Sequence, residues 1–265
     1  MLEDLAIQTY IEAKLREPRY AEPRRLLRHG YKVYSRHDED GIIREIFRRV
    51  SPFSKTFVEI GLEARPECNT TALLMQGWHG IWLKPEATEG PPAAQVFGDF
   101  LGRGWLRHVA EAVRPDNLNR LLHDAGAGGE IDLLSIAAGG SDYWLWESLE
   151  LVVPRLVVID YNAALRPPIA VVERYDPERR PDGSNYRGAS LEAVVRLGRK
   201  KGYCLVSCSL SGLSAFFVRA DLCGDRFAEP FTAQNHYEPP RAYLVGSASV
   251  RVGFGPWTLL DEAAP

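Results

Sequence analysis

Two pairs of polar residues in the chain have side chains suited to proton transfer. Asp160 and Asn162 follow the apolar run LVVI, and Asp142 and Tyr143 open a predicted helix after IDLLSIAAGGS. A carboxylate beside a substrate hydroxyl could act as a general base, so the four are the candidate catalytic residues. A polar strand end and a helix-capping Asp142 are the structural alternatives.

A second candidate group lies in FVEIGLEARPECNTT. Loops that bind a nucleoside use glycines for close backbone approach, but only Gly61 remains here and Pro66 stiffens the turn. The next apolar run ends in Lys84, whose side chain can only donate hydrogen bonds. Glu86, two residues later, is the nearest acid for a ribose. The candidate cofactor-binding residues are Glu59, Gly61, Glu67, Asn69 and Glu86.

The turn after IDLLSI lacks a carboxylate at its first positions. An α/β enzyme commonly carries working acids at such a strand end, yet this turn reads Ala137-Ala138-Gly139-Gly140. No His/Asp/Glu cluster has the spacing of metal ligands, so no metal site is predicted.

Short apolar runs alternate with amphipathic segments along the chain. We predict strands at Thr56–Gly61, Gly80–Lys84, QVFGDF, IDLLSIA and PRLVVIDYN, and a closing hairpin turning at Ser211-Gly212. Asn69 is expected to cap one helix, and Asp38 or Asp40 another. The pattern predicts an α/β fold with a doubly wound, mostly parallel seven-stranded sheet and a terminal antiparallel hairpin, which is the class I methyltransferase architecture.

The expected organisation has three parts: a helix and basic arm over residues 1–33, the α/β domain over 34–225, and a tail over 226–265 that packs on it. The arm carries Arg16, Arg19, Arg24, Arg25 and Arg28, and is either solvated or a site for an anion or partner.

Composition excludes several classes of protein. The net charge of −3 gives no basic field for nucleic acid, and no apolar run is long enough to cross a membrane. Four scattered cysteines favour reduced thiols. We therefore expect a cytoplasmic protein with a small-molecule substrate or metabolite and neither nucleic acid nor membrane as a partner.

Several segments together resemble FkbM-like S-adenosylmethionine (SAM) methyltransferases. The resemblance runs from Tyr34 to Leu222 and is carried by YSRHDEDGIIREIF, FVEIG, ECNTTALLMQGWHGIWL, DLLSIAAGGSDYWLWESL, PRLVVIDYN, GASLEAVVRLGRKKGY and AFFVRADL. It implies the class I fold, SAM as cofactor, and O-methylation of sugars, glycolipids or polyketide-type metabolites.

The sequence departs from that family where the cofactor would bind. GLEARP stands in place of a glycine-rich loop, and Lys84 stands in place of the ribose-binding acid. Arg36 replaces a glutamine, and Asp160 replaces the longer glutamate. Loss of several charge-assisted bonds would weaken SAM binding by powers of ten. These departures predict a non-methylating protein of natural-product or glycan tailoring. It would be a partner subunit of an active paralogue, a homo-oligomer, or a repurposed protein.

The alternative is an active O-methyltransferase with an unusual cofactor site. In that hypothesis Glu59, Glu67 and Glu86 share the polar groups of SAM, and Asp142, Asp160 or a nearby histidine is the base. Methyl transfer depends mainly on alignment of donor and acceptor, so one missing acid does not exclude it.

Overall fold

A seven-stranded sheet forms the centre of the protein in the computed structural model, which describes residues 2–62, 64, 66–86, 92–178, 183–244 and 257–259. The strand order is β3-β2-β1-β4-β5-β8-β7, and β8 runs antiparallel to all the other strands of this sheet. The predicted class I methyltransferase fold is confirmed by this order. The strands are β1 Thr56–Gly61, β2 His79–Leu83, β3 Leu106–Val109, β4 Gly129–Ala137, β5 Val152–Asp160, β6 Val171–Glu173, β7 Tyr203–Cys208, β8 Ser214–Arg219 and β9 Trp257–Leu259.

Helices cover both faces of the sheet, and β6 pairs with β9 in a separate two-stranded ribbon. Two 3₁₀ turns lie at Leu27–His29 and Ala242–Leu244. The α-helices are α1 Leu2–Leu15, α2 Pro18–Ala21, α3 Glu39–Val50, α4 Thr71–Leu74, α5 Ala93–Val96, α6 Gly98–Gly102, α7 Leu118–Asp124, α8 Asp142–Ser148, α9 Leu191–Lys200, α10 Ala220–Cys223 and α11 Ala233–His236.

Successive apolar residues of each central strand belong to different hydrophobic cores. In β4, Leu133 faces the core that contains α3 and α4, whereas Leu134 faces the core that contains α7, α8 and α9. Side chains alternate between the faces of a strand, so a strand covered on both faces is apolar at nearly every position. This explains the continuous apolar runs of β4 and β5.

The third strand lies later in the chain than predicted. QVFGDF spans the end of α5 and the start of α6, and β3 is Leu106–Val109. Phe97 packs edge-on against Trp82 with 4.6 Å between the ring centroids, which places this segment on the helical layer. The apolar residues of QVFGDF therefore cover the sheet rather than extend it.

The predicted capping residues have other roles. Asp38 precedes α3 but makes no cap bond, and its Oδ2 accepts from the backbone N–H of Leu210 at 2.9 Å. Asp40 Oδ2 accepts from three successive backbone N–H groups, those of residues 33–35, at 2.6–2.8 Å. Asn69 does not cap α4, and its Nδ2 donates to Ser135 Oγ at 3.1 Å.

The N-terminal arm is bound to the segment that follows β8. Arg19 donates to the carbonyl oxygen of Tyr237 at 2.7 Å, and Arg25 donates to Oδ1 of Asn235 at 2.6 Å. Two arginines of the arm thus bind it to the segment around α11. Of the predicted tail, residues 245–256 and 260–265 lie outside the described residues. None of the described helices has the length and apolar character needed to cross a membrane.

Candidate functional site

The carboxyl ends of β1, β4 and β5 meet at one edge of the sheet, where open α/β folds bind their ligands. The topology brings together two groups of predicted site residues at this edge. Glu59, Gly61 and Asn69 lie around the ends of β1 and β2, and Asp142 and Asp160 lie near the ends of β4 and β5.

Glu59 forms a buried ion pair with Lys84. The Lys84 Nζ is 3.2 Å from Glu59 Oε1, and the two side chains are 2% and 3% exposed. The ammonium also lies 4.4 Å from the ring centroid of Trp82. Burial alone would lower the pKa of Lys84, but the neighbouring Cys68 and Glu59 raise the pKa above its ordinary value. Lys84 is therefore a charged residue of the protein interior.

The other contacts of Glu59 also come from the protein. Its carboxylate accepts from the backbone N–H groups of Asn69 and Thr70, at 3.4 and 3.1 Å, and from the Thr70 hydroxyl. Trp82 Nε1 in turn donates to Thr70 Oγ1 at 2.9 Å. Both oxygens of Glu59 are thus engaged by groups from the loop before α4 and by Lys84, the residue that follows β2.

The space beside Gly61 is filled by Lys84. A Cβ atom at Gly61 would lie 3.2 Å from Lys84 Cε, so the lysine stem packs directly on this glycine. On the other side, Leu62 packs on the turn after β4, where a Cβ at Gly139 would lie 3.1 Å from Leu62 Cδ2. Side chains of the protein therefore line the gap between the ends of β1, β2 and β4.

Asp142 closes the turn that lacks acids at its first positions. Its Oδ1 accepts from the N–H of Ala138 and its Oδ2 from the N–H of Gly140, both at 2.8 Å. Burial, reinforced by the nearby negative charge of Asp160, raises the pKa of Asp142 to about 7. The residue is the first of α8, but its side chain binds the turn before the helix.

Asp160 is paired with Arg36 from the segment before α3. The guanidinium forms an ion pair with Asp160 Oδ1 and lies 3.4 Å from Ser214 Oγ. Ser214 Oγ also donates to Glu39 Oε1 at 3.1 Å. The carboxylate of Asp160 raises the pKa of Arg36. Arg36 thus supplies a positive charge to a cluster that also contains the carboxyl groups of Asp160, Glu39 and Asp142.

The remaining predicted site residues lie apart from these groups. Asn162 Nδ2 donates to the carbonyl oxygens of Asn185 and Arg187, at 2.7 and 2.9 Å, and so fixes a loop. Tyr143 is buried against Trp144. Glu86 Oε2 accepts from the N–H of Ala93 at the start of α5, at 3.0 Å, and Glu67 is exposed.

Two residues of the site were not among the predicted site residues. Lys84 and Arg36 entered the sequence interpretation only as departures from a family pattern, and each proves to be the partner of a predicted acid. In both cases the signal was a basic residue where the family pattern has a neutral or acidic one. In the described part of the chain, no three or more His, Cys, Asp or Glu side chains are arranged to hold a metal ion.

No protein-family model matches the sequence, and no curated protein matches it. Among solved structures, the pyocyanin biosynthetic protein PhzM matches with a TM-score of 0.38 and 14% identity, over 67% of this chain and 54% of PhzM. An S-adenosylmethionine-dependent methyltransferase from Clostridium acetobutylicum matches with a TM-score of 0.42 and 7% identity, over 80% of this chain and 98% of that protein. The chain thus spans about half the length of PhzM. These likenesses are distant and concern the fold, which the strand order of the sheet identifies as the class I methyltransferase fold.

Proposed function

We propose that this protein is a non-methylating member of the class I methyltransferase fold that binds a metabolite in natural-product or glycan tailoring, and that it does not use SAM. The observation that carries the proposal is the buried ion pair of Lys84 and Glu59. A SAM site needs acceptors for the ribose hydroxyls at the end of β2, and Lys84 has only donors.

The residues at the ends of β1 and β2 do not fit SAM. Glu59 already accepts from Lys84, Asn69 and Thr70, and the stem of Lys84 packs on Gly61. A cofactor would have to displace the ammonium from a buried carboxylate, and breaking one side of a buried ion pair costs about 3–5 kcal/mol. That cost is comparable to a loss of about two to four powers of ten in affinity.

Isothermal titration of the full chain with SAM and with S-adenosylhomocysteine tests the proposal. The expected result is no saturable binding below about 1 mM for either ligand. Micromolar binding of either one would contradict it. A differential scanning measurement with each ligand gives a second readout, since a ligand that binds the native state raises the melting temperature.

A restored variant tests the stated cause. Lys84→Asp combined with Ala137→Asp replaces the donor at β2 and adds an acid after β4, and it is expected to gain SAM binding. The matched control is Lys200→Asp, which introduces the charge change of Lys84→Asp at the exposed end of α9. Gly139 is left unchanged because its φ of +69° and its contact with Leu62 disfavour a side chain.

The second candidate is an active O-methyltransferase, and Asp142 is the observation that favours it. A carboxyl group with a pKa of about 7 can exchange protons near neutral pH, as a general base requires. Against this function, both oxygens of Asp142 accept backbone hydrogen bonds and the residue is 4% exposed. Methyl transfer to a sugar or polyketide hydroxyl that is lost in Asp142→Asn would support this candidate.

A further inference from the structure

A cavity of about 240 Å³ lies between the N-terminal arm and the segment that follows α11. The segment that lines it is bound to the residues that follow β5. Tyr161 Oη donates to the carbonyl of Glu238 at 2.8 Å, and Tyr237 Oη donates to the carbonyl of Ala163 at 2.6 Å. The cavity thus borders the same edge of the sheet as Asp160, on the side away from Lys84. We name it the cationic pocket. Its charged lining residues are Lys14, Glu17, Arg19, Arg166, Glu238 and Arg241.

The lining carries an excess of positive charge. Lys14 is paired with Glu17, with 2.9 Å between Nζ and Oε1. Glu238 is shared by Arg19 and Arg241, at 3.2 and 2.9 Å. Among the described residues, no carboxylate lies within ion-pair distance of Arg166. Four cations against two carboxylates therefore leave two positive charges in the lining, and Arg166 is an exposed cation that is not paired with a carboxylate among the described residues.

Most of the pocket is held rigidly before any ligand arrives. The Glu238 side chain is 1% exposed and accepts from Tyr20 Oη at 3.0 Å. Arg19 donates to the carbonyl of Tyr237 at 2.7 Å, and Arg241 Nε donates to Tyr10 Oη at 3.1 Å. Side chains fixed in this way lose little conformational entropy when a ligand binds.

We propose that the cationic pocket binds the phosphate group of a phosphorylated small molecule, with Arg166 as the residue that closes on it. A phosphomonoester carries up to two negative charges at neutral pH, which matches the charge excess, and guanidinium groups bind phosphate oxygens in a bidentate manner. The ring of Tyr237 supplies an apolar wall for the rest of the molecule. This inference rests on the proposed function in taking the protein as a metabolite binder, and it specifies the ligand class.

Titration calorimetry on the full chain, with phenyl phosphate, inorganic phosphate and benzoate as probes, tests the proposal. Phenyl phosphate is expected to bind saturably with a Kd of about 0.1–1 mM, and benzoate, with one charge, about tenfold more weakly. Arg166→Gln is expected to weaken phenyl phosphate binding about tenfold. The matched control is Arg103→Gln, an exposed arginine beside β3 at the opposite edge of the sheet, and it should change the Kd less than about twofold.

Each contrary outcome identifies which statement fails. Absence of saturable phosphate binding, or an equal loss in Arg103→Gln, overturns the pocket. Equal affinity for benzoate overturns the choice of phosphate, and binding of inorganic phosphate without phenyl phosphate overturns the choice of an organic ligand. Micromolar binding of SAM in a separate titration would overturn the proposed function while leaving the phosphate result to stand by itself.

Discussion

The ammonium of Lys84 lies between the carboxylate of Glu59, at 3.2 Å, and the indole of Trp82, at 4.4 Å from its centroid. Glu59 and Trp82 are direct neighbours in the register of β1 and β2, so the lysine from the end of β2 folds back over its own sheet. Lys84→Met removes the charge while keeping much of the stem. We expect it to lower the free energy of unfolding by about 3–5 kcal/mol, because Glu59 then stays buried without a cation.

Urea denaturation followed by circular dichroism measures this effect. The double variant Lys84→Met with Glu59→Gln is the control, and it should recover a large part of the loss because no unpaired charge remains. If the free energy of unfolding of Lys84→Met lies within about 1 kcal/mol of that of the unchanged protein, the buried-pair interpretation is contradicted.

Asp142 should make the stability of the protein depend on pH. Burial and Asp160 raise its pKa to about 7 in the folded protein from an ordinary value of 3.8. Because the folded state then holds the proton more tightly than the unfolded state, the stabilisation is complete below about pH 4 and is lost as pH rises through about 7. Relative to Asp142→Asn, the unchanged protein should lose roughly 1–3 kcal/mol between about pH 4 and 8.

Denaturant titrations of both proteins at several pH values give that difference directly. Asp116→Asn is a suitable control because Asp116 is an exposed aspartate in the loop before α7. If the stability difference between the protein and Asp142→Asn does not change with pH, the pKa of Asp142 is the same in the folded and unfolded states and the prediction is wrong.

Arg49 should matter far more than its neighbour Arg48, although both bind Glu45. The Arg49 side chain is 9% exposed and donates to the carbonyls of Arg24 and Arg226, at 2.8 and 2.7 Å, in addition to its bond with Glu45. The Arg48 side chain is 70% exposed and binds Glu45 alone. Arg49→Gln is expected to cost about 2–4 kcal/mol, and Arg48→Gln clearly less, because solvent screens the exposed pair.

Thermal unfolding of the two variants side by side checks this prediction. Limited proteolysis adds a local readout, since loss of the Arg49 bonds should expose the arm between α2 and α3 before the sheet unfolds. Equal effects of the two substitutions would mean that only the ion pair with Glu45 matters.

Gly41 should not tolerate a side chain. A Cβ atom there would lie 2.1 Å from the carbonyl oxygen of His29 and 2.4 Å from the backbone nitrogen of Tyr31. Gly41→Ala must therefore push the chain before α3 away from the helix, with an expected loss of about 2–4 kcal/mol. Gly98→Ala is the control, because a Cβ at Gly98 in α6 meets no atom within 4 Å. It should be neutral or slightly stabilising in the same melting experiment.

The strands that the sequence predicted well are those buried on both faces. β1, β4 and β5 each contain a buried run that is mostly apolar, and no helical pattern competes with it. β3 was missed because Arg107 and His108 interrupt its apolar pattern, while Val96 and Phe97 in QVFGDF have high strand propensity. Packing of Phe97 on Trp82 decides that case, and such a contact is invisible in a local window.

The candidate site shows the same division between local and distant information. The sequence identified Lys84 as a residue with donors only, and that statement needs only local reasoning. It offered helix capping as the structural role of Asp142, whose side chain instead binds the turn before α8. The partner of each acid depends on the fold. Lys84 reaches Glu59 through the register of two parallel strands, and Arg36 reaches Asp160 across 124 positions of the chain.

The cationic pocket is built from the two distant ends of the described chain, with Arg19 and Tyr237 joined across 218 positions. During synthesis on a ribosome, the sheet through β5 can form while this pocket is still missing half of its wall. The phosphate binding that we propose would therefore require synthesis to continue past residue 241. A stalled chain that lacks residues 237–241 would have a nearly complete core and no binding activity.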